Sequence, residues 1–163
     1  MKKNLICPHC GMSYSAYRNP LPTTDVCIHE PGLGVVLIRR RNPPCGFALP
    51  GGFVDEGESC EEAARREMLE ETGLSVRLEG LLGVYSNPRR DPRAHTMSVV
   101  YVGRALDVSR LQAGDDAAQA AFYPLDALPA PIAFDHQRIL ADFGAWLAGK
   151  RSLAPLETPG EAC

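Results

Sequence analysis

Strands interleaved with two amphipathic helices around one hydrophobic core make this chain an α/β sandwich on sequence grounds. Short apolar runs such as Val35-Val36-Leu37-Ile38 lie between Gly/Pro-rich turns and have the length and branching of buried strands. Two segments show helical spacing instead. One is 60–72, flanked by capping signals, and the other is 134–147, where Ile139, Leu140, Phe143 and Leu147 share a face. At 163 residues the chain has room for one domain with a small appendage. We expect an arm at 1–24, a main domain at 25–150 and a frayed tail at 151–163.

Taken in order, the arm holds Cys7-Pro8-His9-Cys10-Gly11 and then Asn19-Pro20-Leu21-Pro22, the makings of a small cysteine-bearing knuckle. Residues 25–30 and 34–40 read as strands joined by a hairpin-like Pro31-Gly32-Leu33-Gly34. Pro and Gly crowd residues 42–58, which predicts a loop with little regular structure. Ser59 then opens a helix as its N-cap, Glu62 completes a capping box, and Gly73 ends it as a C′ glycine. Val76 to Tyr85 and Thr96 to Ala105 read as strands about an Arg/Pro-rich loop, and Ala120 to Tyr123 is a further short strand.

Composition narrows the function. No apolar run could span a bilayer, and Leu5-Ile6 is too short a core for an export signal, so a cytoplasmic protein with no membrane partner is expected. A net charge of −3 argues against a nucleic-acid partner. Lys2, Lys3 and Lys150 are the lysines among 17 basic residues, so arginine supplies the other 14. That excess reflects either a genome-wide bias or the use of arginine's planar fork on phosphate and carboxylate. In a reducing compartment the six cysteines are metal ligands or incidental, rather than disulfide partners.

The helix 60–72 carries the chemistry. Glu67, Glu70 and Glu71 stand at i, i+3 and i+4 on the small, apolar flank with Cys60, Ala63 and Ala64, where a core should pack. Like charges so placed repel, and desolvation adds to the cost. Arg66 alone cannot neutralise three groups. Either this is a solvated acidic face, or a hard cation such as Mg²⁺ or Mn²⁺ sits among the oxygens. The Gly-punctuated loop Leu49-Pro50-Gly51-Gly52-Phe53 runs straight into this helix, brings Glu58 with it, and favours the second reading.

Together the loop and helix fill the pattern G-x5-E-x7-R-E-U-x-E-E-x-G-U (U a bulky aliphatic) at Gly52, Glu58, Arg66, Glu67, Met68, Glu70, Glu71, Gly73 and Leu74. By residue usage, chance gives such a match in roughly one window in 10⁹. The segment resembles the Nudix box. The resemblance implies an α/β/α sandwich around a mixed sheet and hydrolysis of a nucleoside diphosphate linked to another moiety. It implies Mg²⁺ or Mn²⁺ held by Glu67, Glu70, Glu71 and the Gly52 carbonyl, with Glu67 a candidate general base. Glu58 would brace the loop through Arg66, and a later acid, Asp116 in preference to Asp115, would join the metal site.

Residues 41–55 and 87–96 resemble bacterial and archaeal ADP-ribose pyrophosphatases of that family, with departures at Cys45, Ala94 and Gln119. A small nucleotide-sugar, ADP-ribose first, is the substrate so implied. Cleanup of modified nucleoside triphosphates and a non-catalytic nucleotide sensor are the alternatives. Arg39, Arg89, Arg90 and Arg93 are either phosphate clamps or solubilising charges. Phe47 and Tyr85 either stack on adenine or fill the core. A homodimer and a monomer are both open.

Cys7 and Cys10 make half of a zinc ribbon, and a closed site needs four ligands. Cys27 and His29, at i and i+2 on one strand and so on one face, would complete a structural Zn²⁺ site. Otherwise the knuckle is degenerate and Cys27 is simply buried.

Overall fold

The computed structural model describes residues 2–114 and 117–156. The strands β1 (Lys2–Ile6) and β2 (Ser13–Tyr17) pair only with each other, as an antiparallel hairpin. A seven-stranded mixed sheet holds β3 (Leu21–Glu30), β4 (Gly34–Arg40), β5 (Phe47–Ala48), β6 (Gly51–Phe53), β7 (Val76–Tyr85), β8 (Thr96–Ala105) and β9 (Ala117–Tyr123). Its path runs β5-β4-β3-β8-β7, with β6 added beside β3 and β9 beside β4. β3 and β8 run parallel, and every other pair is antiparallel.

Two helices, α1 (Cys60–Thr72) and α2 (His136–Leu147), cover opposite faces of the sheet. Val26, Ile28 and Val36 cluster with Ala64 and Met68 of α1, while Cys27, Val35 and Leu37 cluster with Ile139, Leu140 and Phe143 of α2. Side chains alternate along a strand, so both faces of β3 and β4 are buried, and their runs are almost continuously apolar. This is the expected three-layer α/β/α sandwich.

Local chemistry sets the helix ends. The Ser59 hydroxyl accepts from the Glu62 N–H (3.2 Å), and the Glu62 carboxylate accepts from the Ser59 N–H (2.8 Å). Gly73 closes α1 in the left-handed region (φ 67°), its N–H donating to the Leu69 carbonyl. α2 starts at His136, two residues later than its apolar spacing suggests. The cause is Phe134, whose φ is 57°, followed by Asp135, whose carboxylate is bound to Arg90 and does not cap the helix.

The sequence expectations fail where the chain gains its regularity from distant partners. Residues 42–58 are not a plain loop: β6 pairs with β3 from Thr23↔Phe53 to Asp25↔Gly51, and β5 pairs with β4. β3 itself begins at Leu21, four residues before the expected start, because 21–24 pair with β8 on one side and 23–24 with β6 on the other. The described part of the tail, 151–156, is docked. Ala154 exchanges both backbone hydrogen bonds with Leu81 (2.8 and 2.9 Å), and Leu153 packs on the α2 side of the core. It covers the outer edge of β7, which would otherwise present unpaired backbone groups.

The zinc set is a correction. Among the described residues no group of three or more Cys, His, Asp or Glu side chains converges as a metal site. Cys27 and His29 do share a face, but that face looks at α2: Cys27 is sealed in the core, and the His29 ring meets Phe143 edge-on. Burial drives the Cys27 thiol well above its usual pKa, against the thiolate a metal needs. Cys7 and Cys10 lie in the β1–β2 turn. No helix among the described residues is long and apolar enough to cross a membrane.

Replacing Ser59 with Ala removes one half of the capping box and should cost about 1 kcal/mol, read as a lower urea midpoint at unchanged slope.

Candidate active site

The Gly51-Gly52 strand lies against the C-terminal half of α1, at Arg66, Glu67 and Glu71, and a side chain at either glycine would collide with a neighbour. A Cβ on Gly51 (φ 153°) would sit 2.1 Å from the Thr24 carbonyl oxygen, and one on Gly52 would sit 2.3 Å from Glu67 Oε1. The absent side chains leave a cradle in which the Glu67 carboxylate rests against the loop backbone. The Gly51 N–H donates to Glu71 Oε2 (2.8 Å). Arg66 joins the parts: its guanidinium donates to Glu58 (2.9 and 3.0 Å), Glu67 (2.8 Å), Glu70 (3.1 Å) and the Phe53 carbonyl (2.9 Å).

Exposure separates the three helix carboxylates. The Glu67 side chain is 14% exposed and Glu71 is half-buried, whereas Glu70 is 58% exposed at the rim. Burial raises the Glu67 carboxyl above the usual range even against its Arg66 hydrogen bond. Glu71 is pushed up to about 8, first by burial and then by the neighbouring Glu67 and Asp25 charges, with the Gly51 N–H and Arg40 opposing. Glu58 is held below its usual value by Arg66. One arginine thus serves Glu58, Glu67 and Glu70, and Glu71 is left short of counter-charge.

In front of these groups opens a cleft of about 270 Å³ that Gly52, Glu67 and Glu71 share with Arg40 and Arg93. A recess of about 40 Å³ continues from it toward Asp25, His136 and Phe134. The Arg40 Nε donates to the Pro44 carbonyl (2.9 Å), and Arg93 is gripped by Asp91 (2.8 and 3.0 Å). Both guanidinium groups lie over the Phe134 ring, 4.8 and 5.2 Å from its centroid. Beneath, His136 Nδ1 accepts from the Leu49 N–H (2.9 Å), which ties α2 to the start of the glycine loop.

Of the expected site residues, Gly52, Glu58, Arg66, Glu67, Glu70 and Glu71 come together here, and Arg93 lines the same cleft as Gly52, Arg66, Glu67 and Glu71. Arg90 borders the recess, but its side chain is 4% exposed and bound twice to Asp135 (2.8 and 3.1 Å) and to Thr96. Arg39 and Arg89 are exposed and do not line the cleft. Phe47 meets Tyr123 edge-on, and Tyr85 is buried with its hydroxyl on Asp142 (2.7 Å), so both fill the core. Asp115 and Asp116 lie outside the described residues. Sequence reasoning passed over Arg40, Phe53, Phe134 and His136. For Arg40 the signal was an arginine at the end of an apolar strand, shared with Arg39. For Phe134 and His136 there was none.

Among the described residues these carboxylates do not already converge on one point, but the donor set has the chemistry of a seat for a hard divalent cation. It is all oxygen, carries more negative charge than Arg66 offsets, and includes a cradle that any side chain on Gly52 would fill. Carboxylates able to hold such an ion, in one cleft with two arginines, suit chemistry on phosphoanhydrides. The chain matches the NUDIX domain over residues 19–143. It is 47% identical over 139 residues to an ADP-ribose pyrophosphatase of Methanocaldococcus jannaschii, covering 83% of this chain and 80% of that protein. It is 34% identical over 145 residues to an ADP-ribose-responsive transcriptional repressor of Acinetobacter baylyi, covering 83% of this chain and 58% of that one. The NUDIX domain of a Shewanella oneidensis protein, NrtR, solved with ADP ribose, matches with TM-score 0.70 at 27% identity, covering 80% of this chain and 90% of that one. The chain therefore belongs to the Nudix family and is a hydrolase of pyrophosphate bonds.

Because the folded Glu71 carboxyl binds its proton more tightly than an unfolded one, its contribution to metal-free stability is fully present below about pH 4.5 and is lost as pH rises through about 8. In EDTA, Glu71→Gln should match the parent at pH 4.5 and exceed it by about 1–3 kcal/mol at pH 9 in urea titrations. Gly52→Ala should displace the Glu67 carboxylate, cutting turnover at least tenfold, with a melting temperature within a few degrees of the parent.

Proposed function

We propose that this hydrolase splits ADP-ribose into AMP and ribose 5-phosphate, with a divalent cation as cofactor. The observation that carries the reading is the cleft itself, which carboxylates, a bare glycine backbone, Arg40 and Arg93 line together. Glu67, Glu70, Glu71 and the Gly52 carbonyl are the groups that would hold Mg²⁺ or Mn²⁺. Such an ion supplies charge neutralisation for the diphosphate oxygens and makes a bound water more acidic.

Arg40 and Arg93 grip the diphosphate through charge-assisted hydrogen bonds. Glu67, whose burial makes its carboxylate a stronger base than a surface glutamate, accepts the proton of the attacking water. Arg66 and Glu58 keep the glycine loop seated on α1 while this happens. Asp116, two residues beyond Gly114, is the further acid that the family pattern assigns. The 47% identity to an ADP-ribose pyrophosphatase supports the substrate. A homodimer and a cytoplasmic location stay expectations.

The test is product analysis by mass. Purified protein, Mg²⁺ and a panel of nucleotide-sugars and nucleoside triphosphates should yield AMP and ribose 5-phosphate from ADP-ribose, with activity abolished by EDTA. Release of inorganic pyrophosphate from a triphosphate, with ADP-ribose untouched, would replace this reading by nucleotide cleanup. Full activity in EDTA would remove the cation from it.

A further inference from the structure

Phe134 is held in a conformation its side chain does not favour. Its φ of 57° lies in the left-handed region, the one such case among the described non-glycine residues. The chain on both sides enforces it. Phe47 N–H donates to the Pro131 carbonyl and Ala133 N–H donates to the Phe47 carbonyl (both 2.8 Å), while Asp135 is locked on Arg90 and His136 on the Leu49 N–H.

The strain has a geometrical result. It turns the ring into the recess beside the glycine loop, where the Arg40 and Arg93 guanidinium carbons lie 4.8 and 5.2 Å from its centroid. Those two cations repel each other, and the lowered pKa of Arg40 reflects first its burial and then Arg93. Their other anchors are separate, the Pro44 carbonyl for Arg40 and Asp91 for Arg93. Asp91 acts on Arg40 through its charge alone, and the electron-rich face of Phe134 is what both guanidinium groups lie over.

We propose that Phe134 is a positioning residue of this enzyme: its ring carries the Arg40 and Arg93 guanidinium groups at the spacing that the substrate diphosphate requires. The proposal rests on the reading above that these arginines hold the diphosphate. It differs from plain filling of the small cluster of Ile38, Ala48, Ala117 and Ala133 against which Phe134 packs. An aliphatic side chain would meet that need, and only a ring meets the other.

The test uses the full chain with Phe134→Leu, Phe134→Tyr and an Arg40→Gln/Arg93→Gln background. Steady-state kinetics with ADP-ribose and Mg²⁺ are combined with NMR of the arginine Nε–H groups. Phe134→Leu should raise KM about fivefold with kcat within twofold of the parent, and Phe134→Tyr should restore it. The same change in the arginine-free background should add less than twofold. Without substrate, the ring-shifted Arg40 and Arg93 Nε–H resonances should move in Phe134→Leu and stay in Phe134→Tyr; Phe134→Met replaces the leucine variant if that one does not fold. Unmoved resonances, or an equal KM rise without the arginines, would overturn the proposal alone. A parental KM for Arg40→Gln/Arg93→Gln would overturn the arginine clamp and the proposal together.

Discussion

Two carboxylates pressed under a loop with no side chains govern this molecule. Glu67 and Glu71 face inward from α1 beneath Gly51 and Gly52, and the backbone approaches closely enough that a single added carbon would meet Glu67. Burial of like charges costs free energy that must be offset locally. Arg66 offsets part of it at Glu67, and the Gly51 N–H part of it at Glu71. The remainder makes the site receptive to a cation, and the cation makes it receptive to a diphosphate. Stability given up at the site becomes affinity for what it must bind.

Much of the fold exists to hold that juxtaposition. β6 can lie over α1 because it adds to β3, and the Leu49 N–H that leads into it is anchored by His136 at the start of α2. Helices on opposite faces of the sheet thus meet one loop, α1 through its acids and α2 through an imidazole that accepts a backbone hydrogen bond. Burial depresses the His136 pKa and keeps its ring neutral, the form that can accept there. The Arg90–Asp135 pair serves the same end on the cationic side, fixing the segment that presents Phe134.

Comparison of sequence with structure separates two kinds of information. The capping box at Ser59 and Glu62, the C′ glycine at Gly73, the strands at 76–85 and 96–105 and the carboxylate face of α1 were all legible, because each depends on residues a few positions apart. The arginines were only half legible. Arg90 and Arg93 are three residues apart in one loop, yet one is buried on Asp135 and the other lines the cleft. Spacing cannot distinguish them, since the difference lies in whether α2 brings a carboxylate into reach. The cysteine reading failed likewise: β-strand parity put Cys27 and His29 on one face, but only packing shows that this face is covered by Phe143.

The amino-acid order by itself determined the layers, the acidic helix, the glycine loop and hence the family, because these are written in short-range periodicity and in side chains that are present or absent at fixed offsets. Tertiary structure alone decided which charges face the cleft, which are consumed in the core, that the tail closes the edge of β7, and that Phe134 stands under two arginines. Those outcomes join positions as far apart as 40, 93 and 134, and such a contact has no local signature: it exists only once the sheet has aligned its strands.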